Sequence, residues 1–421
     1  MRIKELTNEE FRNFTNTFYL ASIFQTPEYG FVMNGQNSTS RLIGYLDGNT
    51  IIGASLIYVK KVNGFKYAYA PRGFLIDYSD EELIVNFTKD LRKYLSSKGI
   101  MAIKINPMII KNIYDVKNNI KDSNTNYNRI FQILKQNKYF HMGYNNYFEA
   151  LKPRFVAVVD MSIPYYMIFN NFKKEVRTKI RSASEKGIKV YRGSEHNLEY
   201  LYLQTKENYP RDFNYLKDCY QAFSRNNMID YYYTKLDTEI YLKRTKKKYE
   251  ELEIKTQQID SLIKSIDVKN KDKLLGQKMK NDLEFAQIKK QLFEATNLLG
   301  EYPNGIVTAT MLVTRHQDEI TILIDGYDKK YKSFNSKHLL IWKLIERYSK
   351  MGYRKFNLGG VTSINIKQNP YQGLNTFKLG FSPKIYEYMG DLELKTNGLK
   401  YFTYQNTIPI RRVLNSKKAS H

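Results

Sequence analysis

Phe65-Lys66-Tyr67-Ala68-Tyr69-Ala70, then Asp80 through Ser97, then Ile100-Met101-Ala102-Ile103-Lys104-Ile105: the reading of this stretch decides the fold class. The two outer pieces read as strands. Between them Leu83, Phe87, Leu91, Tyr94 and Leu95 recur at three- and four-residue spacing, which predicts a helix. Strand, helix and strand in succession make a mixed α/β unit. Toward the N-terminus, alternating strands are predicted over Ser40 to Tyr45 and Ile51 to Tyr58, and Thr7 followed by Glu10 reads as a capping box opening a first helix. These elements place a first domain at residues 1–150.

From Phe155 a similar pattern begins again. A strand is predicted from Phe155 to Met161, a basic helix around Lys173 to Glu185, and a strand from Ile188 to Arg192. Lys173, Lys174, Arg177, Lys179, Arg181 and Lys186 crowd that segment, either as a solvated helix face or as a patch facing phosphate. Residues 236–302 interrupt this second unit. Tyr249, Leu252, Ile259, Leu262 and Ile266 form one apolar stripe; Leu275, Met279, Leu283, Ile288, Leu292, Ala295 and Leu299 form another. With polar Asp267 to Asp272 between them, the stripes predict an antiparallel coiled-coil hairpin whose arms of about 25 residues span roughly 38 Å. Pro303-Asn304-Gly305 ends it. A strand pair (Ile306 to Thr314, Glu319 to Ile324) and a helix (Asn335 to Lys350) then resume the second domain, assigned to 151–235 and 303–421.

The chain has 421 residues, more than one typical core, and is 42% hydrophobic, which excludes a disordered protein. Its net charge is +25 and its pI about 9.6. Folding gives no reason for such an excess; a lysine-favouring codon bias accounts for part of it, and a polyanionic partner, nucleic acid or an anionic membrane surface, for the rest. Cys219 is the sole cysteine, so no intrachain disulfide is expected, and His141, His196, His316, His338 and His421 lack metal-site spacing. Metal catalysis is not expected. The N-terminus shows no apolar leader and no later run is long enough to span a bilayer, so a cytoplasmic protein, at most peripheral to the membrane, is expected.

Near the C-terminus, Lys355-Phe356-Asn357-Leu358-Gly359-Gly360-Val361 reads as a short strand ending in two glycines. Beyond a polar loop, Gly373-Leu374-Asn375-Thr376-Phe377-Lys378-Leu379-Gly380-Phe381 is read as another strand, with Lys378 on the face opposite Phe377 and Leu379. On pattern alone this is an ordinary solvated lysine.

The Gly359-Gly360 turn followed by Phe377-Lys378 resembles the C-terminal signature of the Fem family of peptidoglycan bridge-forming aminoacyltransferases, the FemA, FemX and MurM group. Further matches lie upstream in the right order: Pro71-Arg72-Gly73-Phe74-Leu75-Ile76-Asp77-Tyr78, Ile103-Lys104-Ile105-Asn106-Pro107, and Arg177-Thr178-Lys179-Ile180-Arg181 with Gly187. Several members also carry a helical hairpin. The resemblance implies two acetyltransferase-like (GNAT) domains in tandem, the second interrupted by the hairpin. The acyl-CoA version of that fold carries a glycine-rich pyrophosphate loop at a helix start, and neither half has one; acyl-CoA is a poor donor and no cofactor is called for.

The implied reaction moves an amino acid from aminoacyl-tRNA to an amine on the stem peptide of a peptidoglycan precursor, usually lipid II. Lys378 matches the Phe-Lys position and is assigned to electrostatic stabilisation of the tetrahedral oxyanion. Phe377 beside it, and Gly359, Gly360 and Gly390 as close-approach glycines, are expected to shape the peptide channel. Arg211 and Tyr215 match an Arg-x-x-x-Tyr element that in a relative grips the precursor's diphosphate. The sequence departs from the family at Asn106-Pro107, where an aspartate was the obvious base, and at Met101, where a relative has an aromatic. An amide takes no proton, so Asn106 is expected to hydrogen-bond the acceptor peptide, with substrate or water as base. A non-catalytic RNA-binding protein and a transferase with another amine acceptor stay open as alternatives. The basic flank Lys243 to Lys248 gives the hairpin a possible tRNA contact, and protein partners are its other expected use.

Overall fold

The computed structural model describes residues 1–62, 64–207, 212–265, 271–363, 366 and 368–406. It opens with β1 (Arg2–Glu5), α1 (Asn8–Thr17), α2 (Pro27–Asn34), β2 (Thr39–Asp47), β3 (Thr50–Val62), β4 (Phe65–Ala70), α3 (Glu81–Ser97) and β5 (Ile100–Ile105). β6 (Ile110–Tyr114), β7 (Ile120–Ser123), α4 (Tyr127–Gln136) and β8 (Tyr139–His141) follow. Then come β9 (Phe155–Asp160), α5 (Tyr165–Asn171), α6 (Lys174–Glu185), β10 (Ile188–Gly193), α7 (Leu198–Thr205), α8 (Phe213–Ser224) and β11 (Ile229–Leu236). The long helices α9 (Thr238–Ser265) and α10 (Lys271–Glu301) precede β12 (Ile306–His316), β13 (Glu319–Tyr327) and a 3-10 turn, Lys329–Phe334. The chain continues with α11 (Ser336–Lys350), β14 (Lys355–Val361), α12 (Gln372–Leu379), β15 (Lys384–Tyr388) and β16 (Leu392–Lys395). No described helix is long and apolar enough to cross a membrane.

Local chemistry sets these boundaries. Thr7 and Glu10 form the predicted capping box of α1, and Asp80 caps α3 by accepting the Leu83 amide at 2.9 Å. Along α3, Phe87, Leu91 and Leu95 are buried against the sheet, each contributing about 1.5–3 kcal/mol.

One pattern of pairing occurs twice. β2, β3 and β4 run antiparallel in sequence, and β4 then pairs parallel with β5 across α3. Likewise β11, β12 and β13 run antiparallel, and β13 pairs parallel with β14 across α11. This is the doubled α/β unit that the resemblance implied. The sheets nevertheless exchange strands. The seven-stranded sheet, ordered β1-β2-β3-β4-β5-β16-β8, takes β16 from the end of the chain, and the nine-stranded sheet, β10-β11-β12-β13-β14-β9-β15-β6-β7, takes β6 and β7 from before residue 150. A third core joins the units, with Phe11, Val32, Tyr58 and Tyr69 packed among Leu198, Leu216, Tyr231 and Leu312.

α9 and α10 lie antiparallel. Tyr249 stacks near Phe285 with ring centroids 5.0 Å apart, Asn281 donates to Thr256 Oγ1 at 2.6 Å, and Lys278 pairs with Asp260. Leu252, Ile259, Ile288 and Ala295 are buried in the seam as expected, whereas Leu262 of the first stripe is exposed. The distal half of the second stripe is corrected: Leu275, Met279 and Leu283 are exposed, and Asn281 is buried. Steps of four drift around a helix relative to the 3.5-residue repeat of a packed seam, so this run leaves the interface. Ile266 lies outside the described residues. The root of the hairpin is tied to the second unit, because Tyr241 packs on Phe334 and Arg244 donates to the carbonyls of Ser184 and Glu185.

Candidate active site

β13 and β14 stay paired only from Glu319 to Thr321 and from Lys355 to Asn357. Beyond that point β13 remains on β12 as far as Tyr327, while β14 follows β9 through a bulge between Asn357 and Gly360. Gly359 supplies the bulge, with φ of 80° and its amide donating to Asn357 Oδ1 at 2.8 Å. Left-handed backbone here favours glycine. The strands part, and α12 packs on β14 beside the opening.

Lys378 therefore stands on a helix, correcting the expected strand. Leu374, Phe377 and Phe381 recur at helical spacing toward the interior, and the apparent alternation of Phe377 and Leu379 about Lys378 is incidental. The half-buried Lys378 donates from Nζ to Gly360 O at 2.7 Å, and a Cβ on Gly359 would stand 3.5 Å from the same nitrogen. Burial pulls its pKa down to about 8; the Asp325 carboxylate opposes this and the nearby Lys337 ammonium adds to it. Asp325 forms an ion pair with Lys337. Burial pushes the Asp325 pKa up, but Lys337 and Lys378 outweigh it and hold the carboxyl below its ordinary value. The group is thus a cluster of two ammoniums around one carboxylate where two strands separate.

A cavity lies toward each end of this stretch of β13. The first, of about 400 Å³, is lined by Tyr327, Tyr331, Ser336, His338 and Phe377 among others. Phe377 meets His338 edge-on at 4.8 Å. Burial pushes the His338 pKa down to about 4, helped by Lys179 and Lys337, so its imidazole is neutral at physiological pH. The second cavity, of about 310 Å³, is lined by Tyr58, Tyr69, Lys60, Lys104, Lys152 and Tyr215. Leu323 of β13 lines this cavity, Tyr327 lines the other, and Asp325 stands between them in the strand.

Asn106 is buried at the end of β5, where its Oδ1 accepts the Arg72 amide at 2.7 Å and its Nδ2 has no partner among the described residues. Arg72 donates to Pro153 O at 2.8 Å, and Pro153 packs on Gly360, so a short relay joins Asn106 to β14, whose Gly360 carbonyl accepts from Lys378. Gly360 thus makes its close approach to Pro153 and Phe148 of this chain. Tyr215 is buried in the core joining the units, with its amide donating to Asp212. Gly390, with φ of 99°, lies near His141 and Arg154, beside the buried Arg154–Glu387 ion pair. Met101 is fully buried with Ala102 and Tyr401 in a small core. Arg211 lies outside the described residues. Asp325, Lys337 and His338 were missed; the one signal was a carboxylate closing an otherwise apolar strand.

A half-buried cation at the parting of two strands, in a fold with separate cavities in its two halves, is a framework that suits group transfer between two substrates. The chain belongs to the FemAB family, whose model matches residues 6–407. It is 21% identical to aminoacyltransferase FemA of Staphylococcus epidermidis, covering 98% of this chain and 100% of that one. It is 25% identical to aminoacyltransferase FemB of the same species, with coverages of 98% and 100%. Identity is 23% to lipid II:glycine glycyltransferase of Staphylococcus haemolyticus, with coverages of 97% and 96%. The crystal structure of FemX shares the fold, with a TM-score of 0.73 at 20% identity, over 96% of this chain and 99% of that one.

Proposed function

We propose that this protein transfers an aminoacyl group from aminoacyl-tRNA to an amine on the stem peptide of lipid II, building or branching the interpeptide bridge. The observation that carries this reading is the Lys378 ammonium, half-buried where β13 and β14 part, next to the cavity that Phe377 lines, and anchored by one hydrogen bond to Gly360 O. An ammonium has three donors, so two remain for a developing oxyanion. The acceptor nitrogen attacks the ester carbonyl, Lys378 stabilises the tetrahedral oxyanion, the bond to the ribose oxygen breaks, and the proton lost by nitrogen passes through substrate or water to that oxygen.

The aromatic cavity at Tyr327 and Phe377 suits the donor's terminal nucleoside. The cavity with Lys60, Lys152 and Tyr215 suits the anionic acceptor, with Lys104 in its wall already paired with Asp391 at 2.7 Å. Gly390 completes the acceptor side in this reading. Lipid II is a membrane lipid, and the net charge of +25 favours peripheral attachment to an anionic surface from the cytoplasmic side. The test is incubation of the protein with charged tRNA pools and purified lipid II, followed by mass spectrometry. An aminoacylated lipid II absent with Lys378→Met is expected. No product with any charged tRNA overturns the reading, and a product on a different amine redirects it.

A further inference from the structure

α11 begins at a turn that no side chain caps. Asn335 occupies the N-cap position with φ of 56°, and its side-chain Nδ2 donates to Ser333 O at 3.3 Å while its side chain accepts nothing from the helix. The His338 amide closes onto Asn335 O at 3.0 Å, which leaves the amides of Ser336 and Lys337, with the positive end of a 15-residue helix dipole, at the wall of the 400 Å³ cavity. A second observation is independent of the helix: Ser336 is 5% exposed, lines this cavity, and its Oγ has no partner among the described residues. Lys332 stands exposed at the rim. No acidic side chain lines the cavity among the described residues, and the nearby Asp325 is already paired with Lys337.

Amide donors and a buried hydroxyl in the wall of one cavity, with an ammonium at its rim and no carboxylate among its described lining residues, are the chemistry that recognises a phosphate. Aromatic walls at Tyr327 and Phe377 lie in the same cavity and suit an adjoining nucleoside. We infer that the start of α11 is a phosphate subsite for the phosphodiester joining the last two nucleotides of the donor RNA. The terminal adenosine then occupies the aromatic cavity, with its ester directed to Lys378. This rests on the tRNA donor proposed above. The helix start provides without a glycine-rich loop what such loops provide elsewhere.

Binding of the dinucleotide cytidylyl-(3′→5′)-adenosine to the full chain tests it by calorimetry, apart from any transfer assay. The dinucleotide is expected to bind about tenfold or more tighter than adenosine, with Ser336→Asp removing that advantage. Because Ser336 is buried, Lys332→Ala on the exposed rim serves as a second variant, expected to weaken the dinucleotide severalfold and flatten its salt dependence. Equal binding of dinucleotide and adenosine, or a dinucleotide affinity indifferent to both variants, overturns the inference. Uridine diphosphate is the arm for the other phosphate source: Ser336-dependent binding of it without binding of the dinucleotide gives the subsite to the acceptor and overturns the inference too. Variant-sensitive dinucleotide binding in a protein that transfers nothing to lipid II leaves the subsite standing and removes only the proposed reaction.

Discussion

Lys378 carries opposite consequences for rate and for stability. With a pKa pulled to about 8, its ammonium is lost as pH rises through that value, so transfer is expected to decline above about pH 8. Lys378→Arg keeps the charge at all accessible pH, and its profile should lack that basic limb; a limb that persists would assign the titration to another group. Lys378→Met removes the charge altogether and is expected to lower kcat by about a hundredfold to a thousandfold with substrate binding nearly intact. For stability, the folded value lies below the ordinary 10.5, so the unfolded chain binds more protons and stability rises from about pH 8 to 10.5. At neutral pH the buried charge opposes folding. Lys378→Met should therefore melt higher than the parent at pH 7, and a lower melting temperature would mean that the ammonium's contacts with Gly360 and Asp325 outweigh its desolvation. His338, neutral down to about pH 4, should contribute no limb between pH 6 and 7.

At the level of elements, the strands and helices with strong periodicity were legible and the short ones were not. α3, α11 and the meander strands follow from their spacing because each buries one face. α12 was misread because its eight residues contain too few turns to separate a 3.6-residue period from alternation. The hairpin was legible as a hairpin, yet the distal part of both stripes was misplaced, since the seam there is held by the polar Asn281 and Lys278, which an apolar pattern does not reveal. What the sequence hid at the site is the splay of β13 from β14, a pairing property that puts Asp325 and Lys337 beside Lys378. The hairpin also carries a prediction. Deleting residues 250–284 with a short glycine linker keeps the root residues Tyr241, Ala295 and Leu298 in the core of the second unit. The protein should stay folded and lose tRNA affinity together with steepness in salt, because exposed lysines such as Lys243, Lys247 and Lys248 then lack their ordered scaffold. Unchanged affinity and slope would turn the arm toward a protein partner.

Across the whole molecule, the relay from Asn106 through Arg72 and Pro153 to Gly360 couples the first unit to β14, whose Gly360 carbonyl anchors Lys378. Asn106→Asp is expected to change turnover by less than about tenfold and to add no acidic limb, since the working site already holds an amide there. A large gain with a new limb near the carboxylate range would show that the position is the base after all. The strand exchange bears on biogenesis. During synthesis β5 and β8 leave the ribosome long before β16, which sits between them, so β8 stays separate from the five-stranded block β1 to β5 until β16 has emerged. The open edges are then exposed to other nascent chains, and such non-local closure is slow. A protein stopped just before Leu392 would lose the wedge that closes the first sheet as well as its own tail, and premature termination near the end of the message should yield aggregate in place of a soluble half-enzyme.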